Sequence, residues 1–133
     1  MKLLNRCLFA LLVGWGTTAS LAYAGDDPSI KGDLRTNIQA SMTEFINQRS
    51  SGDEVLLYDA VDGRLLALRL DELHTGIVNK NGFYVSCADF TDQNKRKIDV
   101  DFLVRPIGDK LVATQAIVHS IDGDKRKYHL EKM

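Results

Sequence analysis

The chain is poor in the residues that usually announce a chemistry. It holds two cysteines, and one of them, Cys7, lies in an N-terminal segment read below as cleavable. Cys87 then stands alone. That excludes an internal disulfide and a CxxC redox pair, so an exported domain of this size must draw its stability from its core. There is no HExxH motif, no paired cysteines, no EF-hand pattern and no G-x-S-x-G elbow. No metal and no other cofactor is expected. Basic charge is not in excess. The formal net charge is −1, and it becomes about −3 once Lys2 and Arg6 are removed. Such a balance argues against a nucleic-acid partner. Internal repeats and low-complexity tracts are missing as well.

What the chain does have begins with a three-part leader. Lys2 and Arg6 open it, Cys7 to Trp15 form a short apolar run, and Ala22-Tyr23-Ala24 supply small residues before a cut. This is the layout of a secretory signal peptide, with cleavage expected after Ala24. The apolar run is too short to span a bilayer, which needs about 20 apolar residues. Cys7 opens the run rather than following it, which excludes a lipoprotein anchor there. Residues 25–133 are read as one small domain, exported and most simply periplasmic, and not membrane-embedded after cleavage.

The region 25–32 is polar, with a turn at Pro28-Ser29, and is expected to be a flexible arm. Asp33 is expected to cap a helix. Leu34, Ile38, Met42, Phe45 and Ile46 recur at spacings of three and four, which predicts one amphipathic helix ending at Arg49-Ser50-Ser51-Gly52. A helix of this length is marginal alone and must dock. About five strands are expected after it. Val55 to Tyr58 is the first. Arg64 to Leu70 is the second, with Leu66, Leu68 and Leu70 inward and Ala67 and Arg69 outward. Asp71 to Gly82 reads as a connection. Phe83 to Val104 reads as a long hairpin turning near Asp92 to Lys95. Its second strand alternates: Ile98, Val100, Phe102 and Val104 share one face, and Asp99, Asp101 and Arg105 the other. Leu111 to Ile121 is the fifth strand, and Lys125 to Leu130 reads as a short edge strand guarded by its charges.

The predicted fold class is α+β: one N-terminal helix packed on a twisted antiparallel meander of about five strands. This order of elements resembles that of small exported cystatin-like and NTF2-like domains. The Tyr58-Asp59 to Gly63 turn is similar in style to PepSY-type modules. The chain lacks a cystatin-type glutamine–valine–glycine loop and has less helix than NTF2-like enzymes, so the resemblance implies a fold and no activity.

Few side chains could carry chemistry. Cys87 shares a strand face with Phe83 and Val85 and is expected in the core as a small hydrophobe. Asp89 falls on the same face and would need a partner there. His74 sits in the connection leading to that strand, so His74, Cys87 and Asp89 form the candidate site. Asp99 and Asp101 could hold a hard cation or act as an acid–base pair. The simpler expectation is a solvated face paired with Lys95, Arg96, Lys97 and Arg105. Tyr58, Tyr84 and Phe90 fall opposite the expected core. With Asp99 and Asp101, Tyr84 and Phe90 make the candidate binding surface. His119, near the end of the fifth strand, and His129, near the C-terminus, stand at no spacing that suggests a ligand set.

No catalytic motif is present. The expected function is an exported, non-catalytic module that binds a protein or small molecule through its sheet, with a homodimer among the options. The competing expectation is a small NTF2-like enzyme or ligand carrier. It would hold a pocket between helix and sheet, with Asp89 and His74 as acid and base.

Overall fold

The computed structural model describes residues 25–127 and Leu130. The expected signal peptide, residues 1–24, and His129 lie outside the described residues. Helix α1 (Gly32–Gln48) forms on the apolar stripe. Ile38, Met42, Phe45 and Ile46 are buried, and Leu34 packs against them from the edge. Its start differs from expectation. The cap is Lys31, which makes no side-chain capping bond, and Asp33 lies inside the first turn. There its charge still meets the positive end of the helix dipole. Arg49 follows the last turn and lays its guanidinium over the Phe45 ring at 3.6 Å, a cation–π contact.

The sheet contains seven antiparallel strands, each beside its neighbours in the chain. They are β1 (Ser50–Ser51), β2 (Glu54–Asp59), β3 (Arg64–Asn79), β4 (Tyr84–Asp92), β5 (Lys97–Ile107), β6 (Lys110–Ile121) and β7 (Asp124–Lys125). The expectation of about five strands is therefore corrected, although one helix against an antiparallel meander remains the layout. Two effects account for the miss. The outermost strands are two-residue ladders, too short to leave a sequence pattern. In addition, β3 runs straight through the segment read as a connection. Its pairing with β4 slips between Leu70 and Glu72 and again between Leu73 and Ile77. These irregularities absorb polar residues and a glycine that read as loop. The last hairpin turns at Asp122-Gly123, with φ of 49° and 84°, a left-handed pair suited to tight hairpins.

The sheet curls so that β2 touches β6. Arg126, just past β7, reaches Asp59 at 2.7 Å and Asp62 at 2.8 Å. Helix α1 fills the inner face. Phe102 stands at the centre, edge-on to Phe45 at 5.7 Å and tilted on Phe90 at 6.4 Å. The inward alternation of Ile98, Val100, Phe102 and Val104 holds, as does that of Leu66 and Leu68; Leu70 is exposed. Phe90, expected on the surface, belongs to this core, and Tyr84 packs against it half-buried. The reason is the pairing of β4 with β5, which sets Phe90 opposite Ile98 and Tyr84 opposite Val104. The arm expected to be flexible lies along β3. The Asp27 N–H donates to the Ile77 carbonyl at 2.8 Å, and Ile30 is buried.

One carboxylate organises the β4–β5 loop. Asp92 is buried and accepts from the N–H groups of Asn94 (2.9 Å) and Arg96 (2.8 Å). It also accepts from the Arg96 guanidinium at 2.8 and 2.7 Å. Burial pushes this carboxyl up, but the Arg96 contacts and the Asn94 N–H outweigh it and hold it below the usual carboxylate range. With the folded pKa below the unfolded one, the stabilisation is present above about pH 4 and is lost as pH falls through the folded value. Asp92→Asn is expected to cost about 2 kcal/mol at pH 7, the scale of hydrogen bonds to a charged group. Urea melts should show the gap to the parent closing below about pH 4.

Candidate functional site

The outer face of the sheet, turned away from α1, carries a row of ionisable side chains across four strands. Register builds most of it. Cys87 stands opposite Asp101, and Asp89 opposite Asp99, so each pair shares a face. His74 joins from the irregular middle of β3. His119 joins from β6 by a different device. Asp99 pairs with Ser120 and Val100 with Val118, which leaves His119 as an extra residue in a bulge. A bulge re-aims a side chain that simple alternation would place elsewhere.

Asp101 is the hub. It is fully buried, and three segments converge on it. The Cys87 thiol donates to Oδ1 at 3.0 Å, and His119 Nδ1 lies 2.9 Å from the same oxygen. Facing a carboxylate, that nitrogen carries the proton. The chain beyond β7 returns over this face, where Leu130 is buried and its N–H donates to Oδ2 at 2.9 Å. Burial pushes the Asp101 carboxyl up, but His119, the Cys87 thiol and the Leu130 N–H together hold it below the ordinary range.

Asp99 is its counterpart. Its Oδ2 lies 3.7 Å from His119 Nδ1, and its side chain keeps 23% exposure. Burial pushes its carboxyl up to about 6, against the pull of His119 and His74, with the negative Asp101 and Asp89 adding to the rise. Two carboxylates on one strand face thus lie in opposite states of compensation. Beyond Asp99, His74 Nε2 meets Asp89 Oδ2 at 3.1 Å, both half-exposed.

Of the candidate site, then, His74 and Asp89 are brought together, while Cys87 is bound one register step away, to Asp101. Cys87 is buried as expected, but on the face opposite α1. Asp99 and Asp101, expected on a solvated face, lie largely and wholly out of water, with the buried Leu130 against Asp101 on that side. The sequence reading gives His119 no role, and no local pattern marks the bulge that turns it inward. As arranged, the thiol is a donor to a carboxylate rather than a nucleophile beside a base.

The same outer face carries apolar side chains at its other end. Tyr58 (63% exposed) pairs across strands with Leu65 (64%), and Leu56 (44%) lies on the same face of β2. Tyr58 is thus outward as expected, with two leucines in place of Tyr84 and Phe90. No helix among the described residues is long and apolar enough to cross a membrane. One cavity between α1 and the sheet, lined by Phe45, Phe90 and Phe102 among others, has a volume of ≈ 10 Å³. That is the room of about one water.

Two measurements test this arrangement. In native protein comprising residues 25–133 Cys87 should resist alkylation and react only in denaturant, read by mass spectrometry. Asp101→Ala should cost about 3–5 kcal/mol in chemical denaturation, since it strands buried donors. Asp89→Ala should cost less than about 1 kcal/mol, since its partner is half in water.

No protein-family model, curated protein or solved structure matches this chain, so its function rests on the geometry described above.

Proposed function

We propose that the chain is an exported, non-catalytic binding module that holds a protein partner on the outer face of β2 and β3. The observation that carries this is the cross-strand pair Tyr58 and Leu65, each more than half exposed, with Leu56 on the same face. Aromatic and aliphatic side chains held rigidly on a sheet supply contact area at low entropic cost. The strip is not a by-product of a loose core, because Leu66 and Leu68 on the same strand are buried. The competing enzyme or carrier needs a pocket between helix and sheet. Phe45, Phe90 and Phe102 line a cavity of only ≈ 10 Å³ there, and Asp89 lies on the other face, beside His74, which favours the first reading.

A photo-crosslinking residue at Tyr58, in the exporting cell, tests the proposal. One discrete adduct is expected, and Leu65→Lys should abolish it while leaving the melting temperature of the purified protein unchanged within about 2 °C, since exposed substitutions cost little. An adduct with the chain itself, matched by dimer in sedimentation equilibrium, makes the partner a second copy. The absence of any adduct, or one indifferent to Leu65→Lys, overturns the assignment of this face.

A further inference from the structure

We propose that Cys87, Asp99, Asp101 and His119 form a binding site for a borderline-soft divalent cation, with Zn²⁺ the best fit. Their donor atoms (one sulfur, one nitrogen and two carboxylate oxygens) all lie within 4.8 Å of one another. Zinc takes four such ligands in a tetrahedron, with bonds of about 2.0–2.3 Å. Those bonds set neighbouring donors about 3.3–3.7 Å apart. Here Cys87 and His119 lie 3.0 and 2.9 Å from Asp101, and His119 lies 3.7 Å from Asp99. Two of these contacts must open by a few tenths of an ångström, and every other donor pair lies within 4.8 Å, so small side-chain rotations bring the set to a tetrahedron. A thiolate with an imidazole selects zinc-like ions over calcium or magnesium, which take oxygen alone.

A hydrogen-bonded network without an ion accounts for Asp101, whose oxygens are satisfied by the thiol, the imidazole and Leu130. It does not account for Asp99. That residue sets a second carboxylate beside the first, and its Oδ1 is buried with no hydrogen-bond partner among the described residues. A buried carboxylate oxygen is costly in that state; Oδ2 is the atom 3.7 Å from His119, so a cation taken by Oδ1, or by both oxygens of Asp99, satisfies it. The supports are also those of a metal centre. The four ligands come from three adjacent strands of one sheet, and the backbone N–H of Leu130 donates to Asp101, as outer partners orient ligating carboxylates. Asp99, at 23% side-chain exposure against 3% for His119 and 0% for Asp101, stands at the entrance. Binding replaces protons with the ion. The Cys87 thiol proton and the His119 Nδ1 proton leave to solvent, and the four donors bind as thiolate, neutral imidazole and two carboxylates. His74, Asp89 and Asp99 make a second group within the same span, but it is half-exposed and has no sulfur donor, so it is the weaker cation site of the two.

Reduced, signal-cleaved protein titrated with Co²⁺ and then Zn²⁺ is the test. One equivalent of Co²⁺ should give a thiolate-to-metal charge-transfer band and the intense visible spectrum of a tetrahedral ion. Zn²⁺ should displace it and raise the melting temperature. Asp99→Asn should weaken Zn²⁺ at least tenfold while remaining folded, because its contact with His119 is a loose 3.7 Å. Asp89→Asn should leave the affinity unchanged. Cys87→Ser should lose the charge-transfer band; if that variant does not fold, Asp99→Asn decides alone. A weak octahedral cobalt spectrum without the sulfur band overturns the site, as does an Asp99→Asn variant that binds Zn²⁺ like the parent. Neither result bears on the Tyr58 crosslink.

Discussion

Asp101 is the constraint on which the outer half of the structure depends. A carboxylate with no exposure to water cannot be left to itself, and this one is met by donors from β4, from β6 and from the chain beyond β7. Each donor implies a placement. The Cys87 thiol reaches it only if β4 and β5 pair in this register. The His119 imidazole reaches it only through the bulge in β6. The Leu130 N–H reaches it only if the C-terminal chain folds back over the sheet. One buried charge thus ties together three segments far apart in sequence, and shifting any register by one residue would turn its donor away.

The inner face obeys a different logic. There the bond is non-directional: α1 lays its apolar stripe on Phe90, Phe102 and the aliphatic residues of β5, and area and fit decide the packing. The two faces meet in β4, whose side chains are buried in both directions. A curled sheet makes this workable. Its concave side wraps the helix, and the Arg126 pairs with Asp59 and Asp62 hold the far strands toward each other. In a domain without a disulfide these polar clasps do what a cross-link would otherwise do.

How much of this can be read in the residues depends on whether one face of an element is wet. The helix stripe and the alternation of β5 are legible, since each sets apolar against charged residues. In β4 alternation is uninformative. Val85 and Cys87 fill one face, Ala88 and Phe90 the other, and either could be the core. Alternation alone therefore puts Phe90 on the surface and Cys87 on the helix side, the reverse of what the fold does. In β3 the misleading signals are polar residues and a glycine. They read as a loop, yet they are bulges whose partners lie on β4 and α1: the Gln39 amide donates to the His74 carbonyl, and the Arg35 guanidinium to that of Thr75. His74 and Asp89 can be named together because both lie near one strand. His119 cannot, since a bulge is a tertiary compromise without a local pattern.

The outer row has a further consequence. Buried ion pairs stabilise weakly, because the cost of leaving water offsets most of the attraction, and apolar residues of similar volume often do as well. A domain that must stand on its core alone has little reason to place two aspartates, a histidine and a thiol in one dry patch for stability's sake. Asp101 is compensated by its donors, but Asp99 is not: its Oδ1 is buried with no hydrogen-bond partner among the described residues. Pairing a satisfied carboxylate with an unsatisfied one makes poor structural sense and good coordination chemistry. The first fixes the geometry, and the second waits for positive charge. Asp101 and its donors serve the fold; Asp99, with its buried and unsatisfied Oδ1, is the group on this face that folding alone does not need.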